Sequence, residues 1–185
     1  MTQPTYLPLL NSIAVNECKG EKLLRTWADA TSDSALEQVL RFVAIREGEH
    51  AAAFTKRMCE LGHPVCEETA YQVFKNFDEL LGFVGSDASD ADKVARLSGD
   101  DRGDRKDPFR GFFNDTTIDP ETGALLGRYI AEERDSGRRL RAEYDRICGR
   151  TGGAHRDDAE LAELRARVDE LSRQLAELRG VRSVA

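Results

Sequence analysis

Apolar residues return along three long stretches of this chain at steps of three and four, the spacing that lines one face of an α-helix. In the first stretch Leu10, Ile13, Ala14, Leu24 and Trp27 share a face with Glu17 and Glu21, which predicts a helix from about Pro8 to Ala30. Proline suits the first turn of such a helix. The loop TSDS follows, where Ser32 or Ser34 can cap the next helix. The second stripe runs Leu36, Leu40, Val43, Glu47, His50, Phe54 and Leu61, and Gly62 and Pro64 stop it. So short a connection predicts antiparallel neighbours. A third, shorter helix is expected from about Glu68 to Val84, with Phe74, Phe77 and Leu81 inward. The last long one starts at DPET, with Asp119 as cap and Pro120 in the first turn. Its inward stripe is read as Leu126, Ile130, Glu133, Gly137, Leu140, Tyr144 and Ile147.

Two segments break this pattern. Residues 85–118 form a long acidic connection rich in Gly and Asp, in which DKVARL can make a helical turn and Phe109, Phe112 and Phe113 tuck back on the core. Residues 151–185 are a linker and a helix of another kind. There Leu161, Leu164, Val168, Leu171, Leu175 and Leu178 alternate steps of three and four, a coiled-coil-like heptad seam flanked by charge. The pattern divides the chain into an all-α, antiparallel four-helix bundle over 1–150 and a C-terminal amphipathic helix. Residues 157–178 of that helix suit a homo-oligomer or a helical protein partner, or else lie along the bundle.

Composition narrows the class. The net charge of −7 argues against a nucleic-acid binder, which carries a basic face. No apolar run reaches the ~20 residues that span a bilayer, and the first residues lack the basic start of a signal peptide. A cytoplasmic location and four reduced cysteines are the expectation. CELGHPVC brings Cys59, His63 and Cys66 close in sequence, but a zinc site lacks its fourth ligand, and packing explains these residues.

The chemistry lies in the polar residues on apolar stripes. Glu47 and His50, three apart, leave one helix face. Glu17 precedes Ser32 by 15 residues and Glu47 follows it by 15, so an antiparallel hairpin sets the two carboxylates at equal height. Carboxylates at close range must share a proton or a cation. Glu133 adds a third acid, and Glu21 and Glu49 stand near as weaker candidates. One imidazole among several carboxylates suits iron or manganese. The same residues also make sense as a metal-free cluster held by its own hydrogen bonds.

Together, the helical layout and Glu17, Glu47 and His50 resemble the ferritin-like superfamily, particularly its rubrerythrin-like members, over about residues 7–148. Such proteins set a Glu on each of two helices and Glu-x-x-His on each of the other two. Glu17 matches the first Glu, and Glu47 with His50 the first Glu-x-x-His. Aligning EGEHAAAF with ERDSGRRL places Glu133 against Glu47 and Ser136 where a second histidine belongs. Glu132 and Asp135 fall on the polar side, and Asp78 and Glu79 are the acids the third helix offers. No rubredoxin-type pair of Cys-x-x-Cys motifs is present. The resemblance implies a ferritin-like bundle holding iron, as one ion or a di-iron pair, or manganese. Its implied activity is ferroxidase or peroxide- or oxygen-reducing chemistry. The degenerate second half-site leaves an alternative open: a bundle without metal or catalysis, acting as an oligomerising or partner-binding protein through its C-terminal helix.

Overall fold

A computed structural model of the chain describes residues 4–74, 76–98 and 117–149. Among these the protein is all-α, with helices α1 (Leu7–Ala30), α2 (Ser34–Glu60), α3 (Phe77–Val84), α4 (Asp90–Ser98) and α5 (Pro120–Ile147) and no strand. The chain divides into compact units at 1–144 and 145–185. The heptad seam of 157–178 and Phe109, Phe112 and Phe113 lie outside the described residues. No described helix is long and apolar enough to cross a membrane.

Helices α1 and α2 form an antiparallel hairpin. At its turn the cap is Asp33, not the neighbouring serines: its backbone is extended and its Oδ1 accepts from the N–H groups of Ala35 and Leu36. At the open end Leu10, Ile13 and Ala14 of α1 pack with Phe54 and Met58 of α2, and α5 adds Leu126 and Tyr129 to the same core. Nearer the turn, Leu24, Trp27, Leu36, Leu40 and Val43 are buried. Trp27 stacks on Tyr144 of α5 and donates from Nε1 to Asp90 at the start of α4.

Helix α5 is anchored at its first turn. Asp119 accepts from the Thr122 N–H at 2.9 Å, from Arg57 of α2 at 2.8 Å and from the Tyr6 hydroxyl at 2.8 Å. Burial alone would raise the Asp119 carboxyl, but these donors hold it far below the ordinary carboxylate range. The inward face of α5 keeps Leu126, Ile130, Glu133 and Tyr144 of the predicted stripe but departs from it elsewhere. Gly137 is exposed, whereas Thr122, Tyr129 and Ser136 are buried. Hydrogen bonds to Asp119, Glu17 and Arg46 let these polar side chains replace hydrocarbon.

The expected helix from Glu68 begins only at Phe77. Residues 66–73 instead form a strap laid along α1, because α1 presents side chains that imitate backbone pairing. Asn11 accepts from the Cys66 N–H and donates to the Cys66 carbonyl, both at 2.8 Å. Asn16 does the same between the Val73 N–H and the Tyr71 carbonyl. Ser12 Oγ takes the Tyr71 N–H. These groups are then unavailable to an i→i−4 helical ladder.

Candidate metal centre

Each helix of the three-helix core supplies part of one polar cluster. Glu17 projects from α1, Glu47 and His50 from α2, and Tyr129, Glu132 and Glu133 from α5. His50 Nδ1 lies 3.2 Å from Glu17 Oε2 and 3.6 Å from Glu133 Oε1. The ligand atoms of Glu17, His50 and Glu133 all fall within 4.8 Å of one another. The other ring nitrogen, Nε2, is 2.9 Å from Glu132 Oε2. Tyr129 donates to Glu17 Oε1 at 2.8 Å and sets its ring edge-on to His50. Glu133 Oε1 is buried and takes no hydrogen bond from any described residue.

Charge in this space is poorly compensated. Burial, then repulsion from Glu17 and Glu133, pushes the Glu47 carboxyl up to about 10, so Glu47 is protonated at neutral pH. Burial and Glu17 raise Glu133 to about 7, with His50 and Arg46 pulling the other way. Burial alone would lower His50, but hydrogen bonds to Glu17 and Glu132 carry it above the ordinary histidine value. Burial among these acids raises Tyr129 too, keeping its hydroxyl a donor. Without a metal the cluster is therefore a set of acids that hold on to protons, with the imidazole hydrogen-bonded between Glu17 and Glu132.

The hairpin makes room for these acids with glycine. A Cβ at Gly20 would lie 2.5 Å from Glu47 Oε2 and 3.3 Å from its Cδ. Across the interface, a Cβ at Gly48 would lie 2.8 Å from the Glu21 carboxyl. Glycine in a helix interior is unfavourable by about 1 kcal/mol relative to alanine. Gly20 is thus the residue whose missing side chain houses the Glu47 carboxylate.

The structure brings Glu17, Glu47, His50 and Glu133 together. It does not bring Glu21, which bonds Arg25 beside Gly48, or Glu49, which is exposed near Arg128. Glu132, on the polar side of the sequence pattern, instead reaches back to His50 while also bonding Arg128. Asp135 stays outward, where Arg139 and Arg46 hold it down at about 2. Ser136, at the position of a missing second histidine, is buried and accepts from Arg46 Nη1 at 3.1 Å. Asp78 and Glu79 are exposed. The cysteines are free, and Cys66 bonds Glu68. Tyr129 was not read as a site residue, although its position four before Glu133 on one helix face was a usable signal.

The described residues thus define an all-α protein with a buried carboxylate–histidine cluster. Comparison of the chain with models of known families, with characterised proteins and with solved structures gives no match.

Proposed function

We propose that the chain is a ferritin-like bundle that holds one iron or manganese ion through Glu17, His50 and Glu133, with Glu47 beside them. The observation that carries this reading is the Glu133 carboxylate oxygen, buried and without a hydrogen bond from any described residue, in a space shared with two further acids and an imidazole. An oxygen-rich set with one nitrogen donor suits these ions. A di-iron pair is not supported. Ser136 offers no imidazole, and the Arg46 guanidinium beside it already supplies a fixed positive charge. When bound, the ion would supply redox chemistry toward oxygen or peroxide, as in a ferroxidase or peroxidase-like enzyme. The protein residues set the stage for it. Glu132 orients the His50 ring through Nε2, leaving Nδ1 toward the acids. Tyr129 fixes Glu17 through Oε1, leaving Oε2 toward His50. Glu47 holds a proton that binding of a cation would release.

Metal analysis of protein purified without chelator tests the proposal. One equivalent of iron or manganese is expected, and His50→Ala or Glu133→Ala should lower affinity by about 10–100-fold or more. Unchanged stoichiometry in both variants would move the site elsewhere.

A second reading is favoured by Ser136 in place of the second histidine: a bundle without catalysis that works through its C-terminal helix. Residues 157–178 would then join copies of the chain or bind a helical partner by their heptad seam. Deleting 157–185 should reduce the mass seen by light scattering; an unchanged mass rules out the tail as the element of self-association.

A further inference from the structure

Beside the carboxylates lies a half-open cavity of about 340 Å³, at the small end of the range typical of ligand sites. Its floor includes Glu17, Glu47 and Glu133. Its walls are Leu9 and Ile13 of α1 and Val73 and Phe74 of the strap. The side chains of Ser12 and Asn16, which also line it, are already engaged. Ser12 Oγ accepts from the Tyr71 N–H and donates to the Pro8 carbonyl. Asn16 donates to the carbonyls of Ser12 and Tyr71 and accepts from the Val73 N–H. No cationic side chain is among the described lining residues. At the mouth Tyr71 and Val73 remain exposed, at 75% and 50%.

We infer that this cavity binds a small, uncharged, largely apolar molecule of at least phenol size, its polar end turned to the carboxylate cluster. The inference rests on the metal reading for what that end would meet in the loaded protein. A sugar would lose water along the walls without gaining a partner there. An organic anion would approach three acids with no basic residue among the described lining residues. What remains is an apolar body against Leu9, Ile13, Val73 and Phe74, with a single hydroxyl or similar donor facing the floor. The resident ion would then stand beside an organic molecule.

The test is fluorine NMR of 4-fluorophenol titrated with the full chain, first metal-free and then with manganese(II). Saturable broadening is expected with metal-free protein, and 4-fluorobenzoate should show none there. Val73→Trp, a change at an exposed rim, should weaken 4-fluorophenol binding by about tenfold or more. Ile13→Phe, which fills the cavity from the helix side, should do the same. Manganese(II) should add strong paramagnetic broadening to bound 4-fluorophenol. Binding that is absent, insensitive to both variants, or equal for 4-fluorobenzoate overturns the inference. So does saturable binding with no paramagnetic effect in protein that metal analysis shows to hold manganese. Protein that holds no metal, yet binds 4-fluorophenol and loses it in Val73→Trp, keeps the cavity as a binding site and refutes the metal reading alone.

Discussion

Raising the pH from about 5 to about 9 is expected to destabilise the metal-free protein and to strengthen its hold on manganese(II), two opposite responses of one cluster. Glu47 and Glu133 have folded values raised from 4.5 to about 10 and about 7. The folded protein therefore keeps protons that the unfolded chain has released. Stability is full below the ordinary glutamate value and is lost as pH rises toward the folded values, by up to about 1.4 kcal/mol per pH unit for each group. His50, also raised, works in the same direction above its ordinary value of 6.5. Asp119, Asp135 and Glu132 are lowered. Their contribution is present above the usual carboxylate range and falls away only in acid, outside this window. A bound cation takes the place of the protons, so excess manganese(II) should reverse the slope. Urea unfolding across this range, with chelator and with manganese(II), measures both limbs. A flat chelator profile would mean that the acids are not buried together; identical slopes would mean that the ion does not bind them. Glu47→Gln should raise metal-free stability and remove much of the falling limb, since it deletes the most costly of the buried acids.

Phe54→Ala is expected to cost about 3–5 kcal/mol of folding stability, the range for emptying a buried aromatic position. Phe54 is fully buried at the open end of the hairpin. Its ring meets Tyr129 edge-on, with centroids 5.2 Å apart. Tyr129 in turn carries the hydrogen bond to Glu17. Removing the ring thus opens a cavity and frees the tyrosine that orients a candidate ligand. Denaturant unfolding of the metal-free protein isolates the core effect, and a loss below about 1 kcal/mol would show that the site collapses instead.

The hairpin and α5 were legible because their apolar spacing is regular and their ends carry strong signals: Pro8, Gly62, Asp119 and Pro120. Counting from the turn also placed Glu17 opposite Glu47, since an antiparallel pair converts sequence distance into height. Elsewhere the reading failed for one shared reason. Asn11, Ser12 and Asn16 look like the polar side of a helix, yet they bind the strap and prevent the helix expected from Glu68. Glu132 falls on the polar side of the α5 pattern, yet its hydrogen bond to His50 draws it inward. Polarity marks a position as wet only when no partner waits across the interface, and the partner is not encoded nearby.

Gly20 has a consequence for recognising other chains built this way. Here the Glu47 carboxylate enters the seam between the two helices opposite Gly20, which has no side chain. The pattern to seek is then Glu-x-x-Gly on one helix, as in Glu17 and Gly20, followed about 30 residues later by Glu-x-x-His, as in Glu47 and His50. Alanine at the glycine position would mark a hairpin that kept the letters of the motif and lost the space for it.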